Sequence, residues 1–281
     1  MTLDPNHTQP SPAAPLAGRV ALITGVSRRQ GIAYAVATRL LSMGADVFVS
    51  HHRAHDAQQP WGADDVEQVL ASLRDAFPRR RVLDLGLDLA APQAPQRLVD
   101  AAREAYGHLD ALVCVHARSG GDGSIFEMTA DRLDGHWAVN ARSTLLLTRA
   151  FAERYETPTP GATGRVVWFT SGQGEGPMRG EVAYASSKAA LSGIAPTVAD
   201  ELLDRHVLLN VVNPGPVDTG YLSPEGGLLT EEELAPLRAR MPLGRFGSPD
   251  DPARLVAWLV SDEGRWVVGQ VIATEGGFRR Y

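Results

Sequence analysis

The strongest indication of the fold is the segment Val20-Ala21-Leu22-Ile23-Thr24-Gly25-Val26-Ser27-Arg28-Arg29-Gln30-Gly31-Ile32-Ala33. It begins as a short apolar run typical of a buried strand, and a segment of helical period starts at Ile32. Glycines at such a corner permit a tight turn and a close approach to a phosphate, which the free N–H groups of the helix then attract. The stretch therefore predicts a dinucleotide-binding turn. Its expected contact residues are Gly25, Ser27, Arg28, Arg29, Gly31 and Ile32.

The same alternation continues along the chain, since short Val, Ile and Leu runs are separated by segments of helical period. This pattern is typical of βαβ units around a parallel sheet that is buried on both faces. Strands are predicted over 20–24, 46–50, 82–88, 111–115, 165–170, 208–212 and 270–274. Helices are predicted over 32–43, 64–77, 93–106, 131–155, 182–203 and 250–261. The predicted class is α/β, a doubly wound Rossmann fold with a seven-stranded parallel sheet flanked by helices.

The length of 281 residues suits a single domain, predicted over 17–281. Residues 1–16 contain four prolines and are predicted to be an irregular or polyproline-like tail. The long irregular region 214–249 contains a short predicted helix over 231–238 and is expected to be a lid over a substrate. Its apolar contacts would come from Tyr221, Leu222, Leu228, Leu229 and Met241.

Composition excludes several classes of function. The net charge is −6 and the basic residues are scattered, so no nucleic-acid track is predicted. Cys114 is the only cysteine, which rules out an internal disulfide and fits a reducing, cytoplasmic location. No apolar run reaches the roughly 18 residues that cross a bilayer. His51 and His52 lack further ligands at useful spacing, so we predict no metal.

Tyr184 and Lys188 lie four residues apart in a predicted helix and can therefore share one face. A neighbouring cation favours the phenolate and lowers a tyrosine pKa from its usual value of about 10. Such a phenol can act as a general acid or base on a carbonyl group. The same spacing is common on solvent-exposed helix surfaces, so the pair is informative only together with the rest of the chain.

The second predicted strand ends in Ser50-His51-His52-Arg53, without the acidic residue that would bind both ribose hydroxyls of NAD. Arg28, Arg29 and Arg53 instead offer guanidinium groups for a 2′-phosphate. The alternative is that these arginines face solvent. The pattern predicts NADP(H) rather than NAD(H).

Further motifs follow in a characteristic order. They are the glycine turn, Asp88-Leu89, Trp137-Ala138-Val139-Asn140, Ser171, Tyr184 with Lys188, Asn213-Pro214-Gly215-Pro216-Val217-Asp218-Thr219, Pro242-Leu243-Gly244-Arg245 and Glu275-Gly276-Gly277. With them the chain resembles the short-chain dehydrogenase/reductase family over residues 16–278. It is most similar to the smaller members typified by 3-oxoacyl-carrier-protein reductases.

The resemblance implies roles for these residues. Tyr184 would exchange a proton with the substrate oxygen, Ser171 would hydrogen-bond that oxygen, and Lys188 would bind the nicotinamide ribose. Asn140 would hold a water that completes a proton relay. The other implied cofactor contacts are Asp88, Leu89, Ala117, Pro214, Gly215, Val217 and Thr219. Singly, each residue also has a structural explanation, such as a cap or a turn. The family further implies a homotetramer, with a dimer as the alternative.

The chain also departs from the family pattern. The glycine turn is two residues longer than usual, a length similar to that of enoyl-carrier-protein reductases, whose lysine lies seven residues after the tyrosine. Here position 191 is leucine. Cys114-Val115-His116-Ala117 replaces the usual Asn-Asn-Ala-Gly, so we expect packing to replace the lost amide ties. His116 is either a structural residue or a substrate-site acid. Glu275 replaces an aspartate and keeps its charge.

These motifs predict an NADP(H)-dependent oxidoreductase that interconverts a ketone and a secondary alcohol with Tyr184 as general acid and base. The substrate would be a small or acyl-linked carbonyl compound. One alternative is reduction of an imine or an activated alkene in the same pocket. Another is a sensor that binds NADP without turnover.

Overall fold

A computed structural model describes residues 14–158, 160–223 and 229–280 of the chain. Seven parallel strands form one sheet in the order β3-β2-β1-β4-β5-β6-β7. Their bounds are β1 Val20–Thr24, β2 Asp46–His51, β3 Val82–Gly86, β4 Ala111–Cys114, β5 Gly164–Phe169, β6 Val207–Asn213 and β7 Val271–Ala273. The predicted fold class is confirmed, and each observed strand overlaps its predicted range.

Helices cover both faces of this sheet. Their bounds are α1 Ile32–Ser42, α2 Arg53–Asp56, α3 Val66–Ala76, α4 Ala94–Tyr106, α5 Ala130–His136, α6 Ser143–Arg154, α7 Val182–Leu203, α8 Glu231–Ala239 and α9 Asp250–Val260. The four-residue α2 was not predicted. Within the described chain, no helix combines the length and the apolar character needed to span a membrane.

The strands are buried on both faces, and their side chains alternate between two cores. In β1 all five residues are buried. Ile23 joins the core that contains Leu40 of α1, whereas Leu22 joins the core that contains Leu98 of α4 and Leu147 of α6. This period of two along a strand buried on both sides explains why the sequence shows continuous apolar runs.

The strand order reverses at β1, which pairs with β2 on one side and β4 on the other. Thr24 at the end of β1 is in register with both Ser50 and Cys114. In open α/β sheets a crevice forms above the carboxyl ends of the strands at such a switch point. The fold therefore places the glycine turn and the segments that follow β2 and β4 around one crevice.

Two elements differ from prediction. The helix predicted over 131–155 is interrupted by a π-helical turn, Trp137–Arg142, between α5 and α6. π turns insert one extra residue into a helix and leave little trace in hydrophobic periodicity. Leu16, the last residue of the predicted tail, is fully buried and its N–H bonds the carbonyl of Met43. Leu16 therefore packs against the sheet, and residues 1–13 lie outside the described part.

The predicted lid contains α8, whose start is defined by a capping box between Thr230 and Glu233. Leu222 and Met241, two of its predicted apolar residues, are buried. Residues 224–228, which include Leu228, lie outside the described residues.

Candidate active site

The long helix α7 presents Tyr184 and Lys188 at the carboxyl edge of the sheet. The Lys188 ammonium lies 5.8 Å from the centroid of the Tyr184 ring. Ser171, two residues beyond β5, lies close enough to Tyr184 to influence its pKa, and its hydroxyl donates to the sulfur of Met178 at 3.9 Å. The structure therefore brings three of the four predicted catalytic side chains together.

Burial controls the proton affinities of this pair. It raises the pKa of Tyr184 to about 12, against the opposing effect of the nearby Ser171 side chain. It lowers the pKa of Lys188 to about 8. The sequence led us to expect that the lysine would lower the pKa of the tyrosine, but burial raises that pKa and Lys188 contributes no resolved part of the shift. Tyr184 thus keeps its proton at neutral pH and can donate it.

Lys188 is almost completely buried, and its ammonium donates to the carbonyl oxygen of Phe169 at 2.8 Å. An ammonium has three N–H donors, and this is its only hydrogen bond to the described residues. Two donors therefore remain for a ligand such as a ribose, which fits the predicted cofactor contact.

Asn140, the fourth predicted catalytic residue, is buried in the π turn. Its amide group donates to the Arg118 carbonyl at 3.1 Å and to the Ser187 hydroxyl at 3.0 Å, while its oxygen accepts from the Arg118 N–H at 2.6 Å. Asn140 therefore contacts α7 one residue before Lys188 and joins it to the loop after β4. Its role in a water relay stays a prediction.

His116 stands where the family pattern Asn-Asn-Ala-Gly has its alanine, and its side chain forms hydrogen bonds at the corner that we expected packing alone to stabilise. Its Nδ1 lies 2.6 Å from the Thr24 hydroxyl, and its Nε2 lies 2.7 Å from the Ser143 hydroxyl. Ser143 donates its own proton to the Val139 carbonyl, so Nε2 must be the donor and Nδ1 the acceptor. Burial lowers the pKa of His116 to about 3, so it remains neutral. The expectation that packing alone would stabilise this corner was wrong.

This geometry makes His116 a structural residue. We expect His116→Ala to lower the free energy of unfolding by about 2 to 4 kcal/mol, because two hydroxyls lose a buried partner and a cavity forms. Urea denaturation measures this loss, and His116→Asn, which keeps a polar side chain at the corner, should lose less. A fall in kcat of fully folded His116→Asn as large as that of a Tyr184 variant would instead place His116 in the chemistry.

The glycine turn fits a pyrophosphate. Gly25 has φ +84°, and a Cβ there would lie 3.0 Å from the Cα of His116, so a larger residue is excluded. Helix α1 begins after Gly31 without any side-chain cap. Its first N–H groups are therefore left to bind an anion at the positive end of the helix dipole. Ile32, the first residue of α1, lies beside them.

The three predicted phosphate-binding arginines differ in their contacts. Arg28 donates to the Thr219 carbonyl at 2.6 Å and lies over the Trp61 ring, whereas Arg29 donates to the Gln68 carbonyl at 3.1 Å. Arg53 is exposed at the start of α2 and forms no ion pair with any residue in the described ranges. Arg29 and Arg53 are thus accessible, and Arg28 connects the glycine turn to the lid.

An acidic residue that the sequence analysis missed also lies at this turn. Asp56 follows the end of β2 by five residues and accepts a 2.5 Å hydrogen bond from Ser27. The unpredicted helix α2 returns the chain toward the turn and so places this carboxylate there. A spacing rule applied only at the strand end could not find it.

The segment that follows β6 also lies at the carboxyl edge of the sheet. Gly215 has φ +66°, and its N–H bonds the side chain of Asn213 at 3.1 Å. A Cβ at Gly215 would collide with Glu275, which forms an ion pair with Arg280. Arg280 in turn packs against Gly172, just after Ser171. The carboxyl-terminal segment therefore supports both the loop at Pro214 and the loop at Ser171, a role that the sequence did not indicate.

The remaining predicted contacts lie at strand ends around the same edge. Asp88 is exposed and accepts from the N–H of Ala90 at 2.8 Å, and Leu89 is buried. Ala117 follows β4, and Val217 is buried where it bridges to Gly247. Thr219 contributes its carbonyl to Arg28. Their assignment to cofactor binding stays a prediction.

Comparison with known proteins supplies the family. A family model described as Enoyl-(Acyl carrier protein) reductase matches residues 25–279. An uncharacterized oxidoreductase of Bacillus subtilis, YjdA, is 34% identical, with 93% of this chain and 97% of the relative covered. The chain belongs to the short-chain dehydrogenase/reductase family. It is therefore an oxidoreductase.

Two other members of the family carry cofactor information in their names. A chloroplastic NADPH-dependent aldehyde reductase-like protein of Arabidopsis thaliana is 31% identical, with 95% of this chain and 96% of the relative covered. A Burkholderia cenocepacia short-chain dehydrogenase, solved in complex with NADP, is 32% identical with a TM-score of 0.76. The match covers 93% of this chain and 98% of that structure.

The position of Leu191 bears on the enoyl reductase description of the family model. A chain that followed the enoyl reductase pattern would have a lysine seven residues after Tyr184, at position 191. Leu191 is 1% exposed and packs in the core on the α4 and α6 side of the sheet. Lys188, rather than position 191, therefore faces Tyr184 in this short-chain dehydrogenase/reductase.

Proposed function

We propose that the chain is an NADP(H)-dependent carbonyl reductase that interconverts a ketone and a secondary alcohol. The observation that carries this proposal is the partly buried Tyr184 phenol, which lies near Ser171 and beside the Lys188 ammonium. A protonated phenol beside an uncharged hydroxyl is suited to donate a proton to an oxygen that gains negative charge. The substrate is a small or acyl-linked carbonyl compound.

Each residue has a role in the proposed reaction. A bound reduced nicotinamide supplies the hydride for the carbonyl carbon. Ser171 holds the substrate oxygen within reach of Tyr184, which donates its proton to that oxygen. Lys188 binds the ribose with the two N–H donors that Phe169 leaves free, and Asn140 orders the water from which the tyrosine regains its proton.

A spectrophotometric screen tests the proposal. Loss of NADPH absorbance is followed with a panel of ketones and aldehydes, and in parallel with imines and enones. Turnover with ketones that is absent without the enzyme supports carbonyl reduction. Turnover only with imines or only with enones supports the alternative acceptor, and binding of NADPH without any turnover supports a sensor.

The preference for NADP(H) over NAD(H) is supported by the cofactors named for the Arabidopsis and Burkholderia relatives and by the exposed guanidinium of Arg53. Arg29 is also exposed in the turn itself. The Asp56 carboxylate near Ser27 is the one observation that favours NAD(H), since it could accept a ribose hydroxyl. Asp56 already accepts a hydrogen bond from Ser27. The positive charges of the exposed Arg29 and Arg53 favour the 2′-phosphate of NADP(H) instead.

Arginine variants test this preference. Arg29→Ala and Arg53→Ala are each expected to raise the Kd for NADPH by about 10- to 100-fold, because each removes a charge-assisted hydrogen bond to the 2′-phosphate. The Kd for NADH should stay unchanged, and Arg97→Ala, an exposed arginine on α4, serves as the control. Fluorescence titration measures both constants. A wild-type preference for NADH would contradict the assignment.

We also propose an assembly and a location for the chain. A homotetramer, or a dimer, is supported by large apolar side chains that remain exposed on and beside the helices predicted to pair, namely Leu133, Trp137, Ile194 and Leu203. A cytoplasmic location is supported by the single cysteine, Cys114, which is buried and whose pKa is raised by burial.

A further inference from the structure

The first turn of α7, the helix that carries Tyr184 and Lys188, is hydrogen-bonded to a loop sixty residues earlier in the sequence. The N–H groups of Val182, Ala183 and Tyr184 have no partner inside α7, as in the first turn of any helix. Those of Ala183 and Tyr184 donate to the Asp122 carboxylate at 2.9 and 2.7 Å. That of Val182 donates to the carbonyl of Gly123 at 3.2 Å.

The residue directly before the helix does not cap these N–H groups. Glu181 occupies the cap position but makes no side-chain cap, and the first bond within the helix is that of Ala185 to the Glu181 carbonyl at 2.8 Å. Asp122 also accepts from the Gly123 N–H at 2.8 Å, which orients its carboxylate. The loop after β4 thus satisfies every free donor of this turn and places a negative charge at the positive end of the helix dipole.

Tyr184 is the third residue of the helix and lies in the turn that would fray first. Its ring and the buried His136 ring meet nearly at right angles with centroids 6.3 Å apart, and its side chain lies near Ser171. Both contacts require the backbone of this turn to stay in place. A displacement of about 1 Å in a reacting group can cost as much as 100-fold in rate.

We propose that Asp122 is a positioning residue for catalysis. It fixes the backbone of the first turn of α7 and thereby sets the phenol of Tyr184 opposite Ser171, without itself touching the substrate. Lys188 lies one turn further along, where bonds within the helix replace those to Asp122. The kinetic part of this inference rests on the proposed function, in which Tyr184 supplies the proton.

Two variants and one control test the inference. Asp122→Ala removes both acceptors, whereas Asp122→Asn keeps one amide oxygen and the shape of the side chain. Asp134→Ala removes the same charge from an exposed position on the nearby α5 and is the matched control. Full-length enzyme is used for steady-state kinetics with a ketone, for NADPH titration and for amide hydrogen exchange.

We expect Asp122→Ala to lower kcat by roughly 10- to 100-fold with little change in KM or in the Kd for NADPH. Asp122→Asn should give a smaller loss and Asp134→Ala none. The amides of Ala183 and Tyr184 should exchange at least about tenfold faster in Asp122→Ala, while that of Leu191 in the middle of α7 is unchanged. If Asp122→Ala does not fold, the same comparison is made with Asp122→Asn.

Wild-type kcat in the folded Asp122 variants would overturn the inference, as would equal losses in Asp134→Ala. Unchanged exchange at Ala183 and Tyr184 would overturn it as well. Failure of the proposed function is distinguishable, because the wild-type protein would then reduce no carbonyl compound. In that case the exchange data still decide whether Asp122 holds this turn.

Discussion

Tyr184→Phe is expected to lower kcat for ketone reduction by roughly 10²- to 10⁴-fold, which is the usual contribution of a general acid. The change removes one oxygen atom and leaves the ring in its place against His136. The Kd for NADPH should stay close to the wild-type value, because the proposed ribose contact is made by Lys188. Stopped-flow or steady-state kinetics and a fluorescence titration measure the two quantities.

Tyr155→Phe is a matched control for this experiment. Tyr155 follows α6 and packs on Phe151, and its buried hydroxyl has no hydrogen-bond partner among the described residues. Removing that oxygen should leave kcat unchanged. Retained turnover in Tyr184→Phe would reject the tyrosine as the acid, whereas an equal loss in both variants would indicate a general effect on folding.

Lys188→Met should reduce both kcat and cofactor affinity, because the lysine binds the ribose in the proposed site and its charge lies beside the phenol. Methionine keeps the length of the chain without its charge. The wild-type Kd for NADPH should be constant below pH 8 and rise above it, as the buried ammonium, whose pKa is lowered to about 8, loses its proton. The variant should bind weakly at every pH, which titrations between pH 6 and 10 would show.

Above pH 8 the free energy of unfolding should rise while the affinity for NADPH falls. Burial lowers the pKa of Lys188 from 10.5 to about 8 in the folded protein. The unfolded chain therefore binds more protons between these values, and the free energy of unfolding of the wild type should rise with pH across that window. Lys188→Met lacks this contribution and should be at least as stable as the wild type at pH 7, since it buries no charge. A strongly destabilised variant would mean that Lys188 is retained for packing.

The sequence predicted the fold well because its signals are local. The apolar run of β1, the glycines after it and the helical period from Ile32 each act within a few residues, and the observed strand bounds follow them closely. The grouping of Ser171, Tyr184 and Lys188 could also be predicted. In a parallel sheet the ends of successive strands and the helices that follow them meet at one edge.

The features that the sequence could not predict depend on contacts between distant segments. The Asp122 carboxylate caps a helix that begins sixty residues later, and His116 joins Thr24 to Ser143 across two elements. Such hydrogen bonds leave no periodicity in the chain. The π turn around Asn140 was missed as well. The contacts of the Asn140 amide with Arg118 and Ser187 also join segments that are distant in the sequence.

The approach of Arg28 to Thr219 was also unforeseen. The sequence predicts that Arg28 and Thr219 both lie at the crevice. It does not predict that the Arg28 guanidinium binds the Thr219 carbonyl. The contact connects the glycine turn to the start of the lid, beside the Trp61 ring that packs on Tyr221 at 6.1 Å. Local patterns thus locate the crevice, while its internal contacts depend on the three-dimensional arrangement.

Deuterium labelling of the cofactor can show whether hydride passes from NADPH to a carbonyl carbon. The enzyme is incubated with NADPH carrying deuterium at the reactive carbon of the nicotinamide and with a ketone, and the product is analysed by mass spectrometry. We expect a secondary alcohol with one deuterium on its carbinol carbon, formed by the wild type and lost in Tyr184→Phe. Deuterium found only in the products of imines or enones, with every ketone returned unlabelled, would contradict it.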